Sequence, residues 1–273
     1  MRSSTVLDQH SLALDRAGVR DLLVLWQHPD TRELIPIGRF GHHGGGAYSF
    51  AYTRAAATIP DFRPLPGLSD LYHRYENDRI PAVFEQRVMD RERPDFGGYA
   101  RTLGLDPMSA TPWEQIVESG GRRAGDTLQF MPVPMVVHGR ALARFLVNGV
   151  RHIREDPHTV GGRTIHTTVE QQEEALQSLT RGSAVLIETE DGNPKDPDAC
   201  LVTVHGVPVG WVPRALSASV RELIAAGPLQ ATVHRAAEPG TPPHVRLVLD
   251  LDAPAPPTFD FDRARRWDPL APQ

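Results

Sequence analysis

LTRGSAVLIETEDGNPKDPDACLVTV, residues 179–204, is the stretch on which the fold turns. Residues 183–188 and 200–204 are short apolar runs bounded by turn formers, which reads as two strands. Between them lies an acidic loop, residues 188–198, with two prolines and a glycine. Downstream, His205-Gly206 is a two-residue hairpin turn into a strand over 207–212. Residues 213–226 then read as a helix, with Pro213 at its start, Gly227 just past its end, and Leu216, Val220, Leu223 and Ile224 as its core face. Upstream, residues 143–152 have a strand pattern, followed by an irregular His, Pro and Gly-rich segment up to Arg163. Residues 168–179 read as a helix with Val169, Gln172, Leu176 and Leu179 near one face. Strands over 232–235 and 245–251 complete a set compatible with a small barrel.

The preceding half has a different rhythm. DLLVLWQ, residues 21–27, is a buried strand, and residues 34–40 are a second. GHHGGG, residues 41–46, connects to YSFAY, in which Tyr48, Phe50 and Tyr52 alternate along one face. Helical spacing takes over between residues 78 and 105, with a second short helix over 95–103 that ends at Gly104. A third helix starts at Thr111, a capping hydroxyl before Pro112 and Glu114, and stops at Gly120 and Gly121. Residues 126–137 carry two prolines, which disfavour a central strand and mark a domain boundary. The expected organisation is an arm (1–20), a small sheet with helices (21–132), a two-helix barrel unit (135–252) and an extended, weakly packed Pro-rich tail (253–273); the fold class is α+β.

Composition narrows the function classes. The net charge of −5 and pI near 6.2 leave no general basic field for tight, indiscriminate duplex binding. Lys195 is the only lysine, which removes the P-loop and protein-kinase mechanisms, each of which needs a lysine in a particular setting. Cys200 is the only cysteine, so no intramolecular disulfide or thiolate-rich zinc site can form. With no apolar run of membrane-spanning length and no signal-peptide pattern, a cytoplasmic location without membrane contact is expected. No cofactor is expected.

Three motifs, FLVNGVRH (145–152), the stretch quoted first (179–204) and GWVPRALSASV (210–220), together resemble the HIRAN domain. The resemblance spans roughly 110 residues. It implies a barrel resembling an OB-fold that binds the 3′ end of single-stranded DNA. Asn193 and Asp196 would hold the terminal sugar, Trp211 would offer a flat surface to a base, Arg214 would hold a phosphate, and His152 would stand at the rim. A carboxylate suits a terminal hydroxyl and repels an internal phosphodiester. Lys195 stands where many members carry a stacking aromatic, exchanging a contribution of roughly 1–3 kcal/mol per base for a charge that can meet a phosphate. In the first half, GRFGHHGGGAYSFAYTRAA (38–56), RIPAVFEQRVMDRERPDFGGYARTLGL (79–105) and SGGRRAGDTLQF (119–130) resemble the N-terminal subdomain of HipA-type toxin kinases. That likeness implies docking or regulation without phosphotransfer.

The expected function is a non-catalytic adaptor that binds single-stranded DNA or DNA ends, in repair or defence against foreign DNA, beside a nuclease, helicase or kinase partner. The alternative is a protein-interaction module: residues 140–252 hold 11 Arg or Lys against 14 Asp or Glu. A third reading, a metal-dependent nuclease, would draw on Glu188, Glu190 and Lys195. The acidic loop could also hold a hard cation or serve only as a turn, although its prolines and missing terminal Glu break EF-hand spacing. His42 and His43 suit a hairpin tip better than a zinc site, and Arg122 with Arg123 make a small basic spot.

Overall fold

The computed structural model describes residues 19–271 other than 32, 45, 61 and 124. The arm expected over residues 1–20 thus lies outside the described residues except for Val19 and Arg20. The chain is α+β with antiparallel sheets, and no described helix is long and apolar enough to cross a membrane. It divides between Val133 and Pro134 into two compact units, the residues from Asp262 onward belonging with the first.

In the first unit, β1 (Asp21–Gln27), β2 (Leu34–His42), β3 (Tyr48–Tyr52), β4 (Tyr75–Asn77) and β5 (Leu128–Pro132) form a sheet ordered β4-β3-β2-β1-β5. β5 is an edge strand, where a proline that cannot donate to a ladder is tolerated. Phe40, Phe50 and Tyr52 point into a core shared with Phe84, Trp113 and Phe130. Among the described residues, three helices accompany the sheet: α1 (Ala82–Glu85), α2 (Phe96–Thr102) and α3 (Pro112–Ser119). The cap read from Thr111 forms in full: its hydroxyl accepts from Glu114 N, and Glu114 Oε2 accepts from Thr111 N at 2.7 Å. His42 stacks on Tyr48 at 4.8 Å, while His43 Nε2 meets Ser49 Oγ at 2.7 Å. Arg122 is only half exposed, because its guanidinium donates to Gln129 Oε1.

The tail is better packed than its prolines suggest. Phe259 and Phe261 are buried, and Leu270 N donates to Tyr52 O while its side chain packs on the first core. Apolar residues spaced among the prolines supply burial that composition alone conceals.

The second unit carries a seven-stranded sheet. β6 (Met135–Val137), β7 (Arg140–Leu146), β10 (Ala184–Thr189), β11 (Cys200–Val204), β12 (Val207–Trp211), β13 (Leu229–Ala236) and β14 (Leu247–Pro254) run in the order β12-β11-β10-β13-β14-β7-β6. Register shifts in β11–β12 and β13–β14 sharpen its twist. Past the end of β7, Asn148 forms an isolated antiparallel bridge with Trp211, exchanging N–H···O bonds of 2.8 and 2.9 Å. The His205-Gly206 turn has positive φ at both residues, 50° and 81°. That is the twist-matched geometry of a two-residue hairpin.

Helix α4 (Val169–Gln177) starts at a Thr168 cap and buries Gln172, Ala175 and Leu176, but Val169 is exposed, one residue inside the start and off the buried stripe. Helix α5 (Arg214–Ala226) follows Pro213 and buries Leu216, Val220 and Leu223. Two expectations change here. The strand read over 143–152 stops at Leu146, and Val150–His152 is a 3-10 turn entered through Gly149 at φ 67°. The segment read as irregular forms a hairpin, β8 (His158–Val160) and β9 (Arg163–Ile165), turned by Gly161 and Gly162 at positive φ.

Candidate ligand cavity in the second unit

A cavity of about 400 Å³ opens where the 3-10 turn, the start of the β8–β9 hairpin, the acidic loop, the end of β12 and the start of α5 meet. All six residues singled out from the sequence line it: His152, Asn193, Lys195, Asp196, Trp211 and Arg214. They stand up to 62 positions apart in the chain, from 152 to 214. The sheet registers converge them, chiefly through the Asn148–Trp211 bridge and a second bridge between Val160 and Glu190.

The loop is held by its own side chains. Asn193 Oδ1 accepts from Lys195 N at 2.9 Å and from Asp196 N at 3.0 Å, and Asp196 Oδ1 accepts from Asp198 N at 3.0 Å. Such side-chain-to-backbone turns fix the chain where no ladder is available. Asn193 therefore spends its acceptor on the loop, and Nδ2 donates to Glu190 Oε2 at 2.6 Å. Its first role is to shape the cavity wall. Asp196 is half-buried, with its Oδ2 unbonded among the described residues.

Trp211 is half-buried as well. One face lies against Gly149, where a Cβ would come within 2.6 Å of Trp211 Cζ3, so no side chain fits and the positive φ also favours glycine. Its edge meets the His158 ring at 5.2 Å, and Nε1 donates to Glu190 Oε2 at 2.7 Å. The indole thus packs against Ile153, Val160 and Leu201 while still lining the cavity.

His158, which sequence reasoning did not single out, and Glu190, named there only for the nuclease reading, form its floor. They are 3% and 4% exposed, and His158 Nδ1 donates to Glu190 Oε1 at 2.6 Å. His158 Nε2 faces Ile153 O at 2.8 Å. With Glu190 ionised both neighbours accept, and a doubly protonated ring satisfies both contacts. Burial works against both charges, yet the hydrogen bonds prevail: His158 is held above its ordinary value and Glu190 below its own. Each partner's signal was weak in sequence. His158 lay in a segment with no clear period, and the 32-residue separation of the pair hides their contact.

Lys195 and Arg214 are exposed and make no ion pair among the described residues. Glu155, Asp156 and Asp196 add negative charge to the wall, and His152 is held between Arg151 and Glu155, Nδ1 to Oε1 at 2.8 Å. The cavity therefore offers two free cations beside three carboxylates. Of the residues named for a nuclease, Glu190 and Lys195 line the cavity, with Glu190 accepting from three donors, while Glu188 accepts from Thr203 Oγ1. Among the described residues, no group of three or more His, Cys, Asp or Glu is arranged to hold a metal ion. Cys200 is buried, which pushes its thiol up to about 12.

Comparison with known proteins gave no match. No protein-family model, no curated protein and no solved structure matches the chain.

Proposed function

We propose that the second unit is a HIRAN-like, OB-like barrel acting as a non-catalytic nucleic-acid-binding module that takes single-stranded DNA, or a DNA 3′ end, into the cavity. The observation that carries this reading is the meeting of a half-buried indole, a half-buried carboxylate and two unpaired cations in one cavity of about 400 Å³. That volume lies in the range of small-ligand sites, roughly 300–1,000 Å³, and suits one terminal nucleotide rather than a duplex. Trp211 supplies a surface for a base, Lys195 and Arg214 contact phosphates, and Asp196 Oδ2 accepts from a terminal hydroxyl. The Asn148–Trp211 bridge supports the barrel reading, since it links β12 back to the chain leaving β7. The first unit, HipA-like by its motifs, docks a nuclease, helicase or kinase partner, and the protein works in the cytoplasm in repair or defence against foreign DNA.

The test uses labelled single strands ending in a 3′ hydroxyl or a 3′ phosphate. The hydroxyl strand binds more tightly, Asp196→Ala removes the difference, and Lys195→Ala or Arg214→Ala each lowers the salt slope by about 1. Equal affinity for both strands rejects end recognition.

A second reading is favoured by the three carboxylates in the wall: the cavity takes a basic peptide segment of a protein partner. In that case single strands do not bind, and Asp196→Ala weakens the protein complex instead.

A further inference from the structure

Glu190 joins three walls of the cavity. Its carboxylate accepts from His158 on β8, from Asn193 in the loop and from Trp211 at the end of β12, at 2.6, 2.6 and 2.7 Å. Asn193 in turn fixes Lys195 and Asp196 by their backbone amides. A buried ion pair is poor value as stabilisation, because desolvation cancels much of its attraction, and its best-attested use is to fix an arrangement. An apolar pair would fill the same space but would leave the Trp211 N–H and the Asn193 amide buried without a partner.

We propose that Glu190, hydrogen-bonded to His158, Asn193 and Trp211, is the positioning residue of this cavity, setting the Trp211 plane and the Lys195–Asp196 loop together. Its carboxylate touches no ligand. It acts through the indole N–H and the Asn193 amide, so the stacking surface and the end-recognising loop are aligned by one group. The binding consequence rests on the nucleic-acid reading; the positioning itself does not.

The variant that separates the roles is Glu190→Gln. A neutral glutamine can accept from Trp211 and donate to a neutral His158 whose Nε2–H still meets Ile153 O, so folding is retained while the charge is removed. The readout is the Trp211 indole N–H signal in the ¹⁵N-labelled full chain, assigned with Trp211→Phe and followed from pH 5 to pH 9. In the wild type the signal moves as His158 loses its proton. The groups facing that imidazole are Glu190 and the Ile153 carbonyl, with Asp156 adding an attraction. Glu155, Asp196, Lys195, Arg214 and His152 also line the cavity and are unchanged in both chains, so subtracting the variant's profile leaves the part of the response that depends on the Glu190 carboxylate. In Glu190→Gln the signal is displaced and the part of its pH response that depends on the Glu190–His158 pair is lost. In Glu190→Ala it broadens through exchange with water. On the binding side, Glu190→Ala, assayed well below its own melting transition, lowers single-strand affinity by about 10-fold.

An indole signal that is unmoved in Glu190→Gln overturns the positioning role. If the wild-type chain binds no single strand, the nucleic-acid reading fails, and the indole measurement still decides the role of Glu190.

Discussion

At the scale of single residues, the second unit buries His158 with Glu190 beneath the cavity as well as Arg144 with Asp250 in the sheet. His158 contributes stability in full below the ordinary histidine value of about 6.5, and loses it as pH rises through its elevated folded value. Glu190 contributes in full above about 4.5 and loses it as pH falls through its depressed folded value. The pair therefore supports the fold best between these limits. Urea denaturation of the second unit should show stability declining above pH 6.5, and Glu190→Gln should flatten that decline. A wild-type slope that survives the substitution would assign it to another group. Cys200 has no part in this titration, since its thiol is held far above neutrality.

At the scale of elements, the acidic loop behaves as a small folded unit. Asn193, Asp196 and the Glu190 N to Ala199 O bond of 3.0 Å brace the residues between β10 and β11, of which Glu190 alone has a bridge partner. Asn193→Ala removes the acceptor for two amides and one donor to Glu190. The Lys195 and Asp196 amides should then lose protection in hydrogen exchange while the β10 and β11 amides keep theirs; retained loop protection would mean that the prolines alone hold the turn. The β8–β9 hairpin is the loop's counterpart. Its two glycines at positive φ close the turn, and the Val160–Glu190 bridge with Asp191 N to Thr159 O at 2.9 Å fastens it beside the loop. This hairpin delivers His158.

At the scale of the whole molecule, the chain builds two units, and its last residues return to the first. Leu270 N to Tyr52 O, Arg54 N to Asp268 O and Ala55 N to Arg266 O attach residues 266–270 to the end of β3 and the turn after it. A chain ending at residue 261 should lower the melting temperature of the first unit by roughly 5 °C or more, because Leu270 no longer covers that core. Ligand binding by the second unit should be unchanged. Loss of cavity function in the shortened chain would show that the tail does more than close the first core.

Much of the fold could be read locally. The Thr111 cap, the His205-Gly206 turn, Pro213 before α5 and the alternation through Tyr48, Phe50 and Tyr52 depend on neighbours within a few positions, so the sequence by itself determined them. The six cavity residues were also identifiable, through the motif they share and the hydrogen-bonding and charge chemistry of their types. What only the tertiary structure decided is how those groups are engaged. Nothing local pairs His158 with Glu190, sets the Trp211 indole against Glu190 or closes Gly149 over Trp211. Those contacts span separations at which sheet register, not the side chain's own preference, sets who meets whom, and burial then decides which groups remain charged.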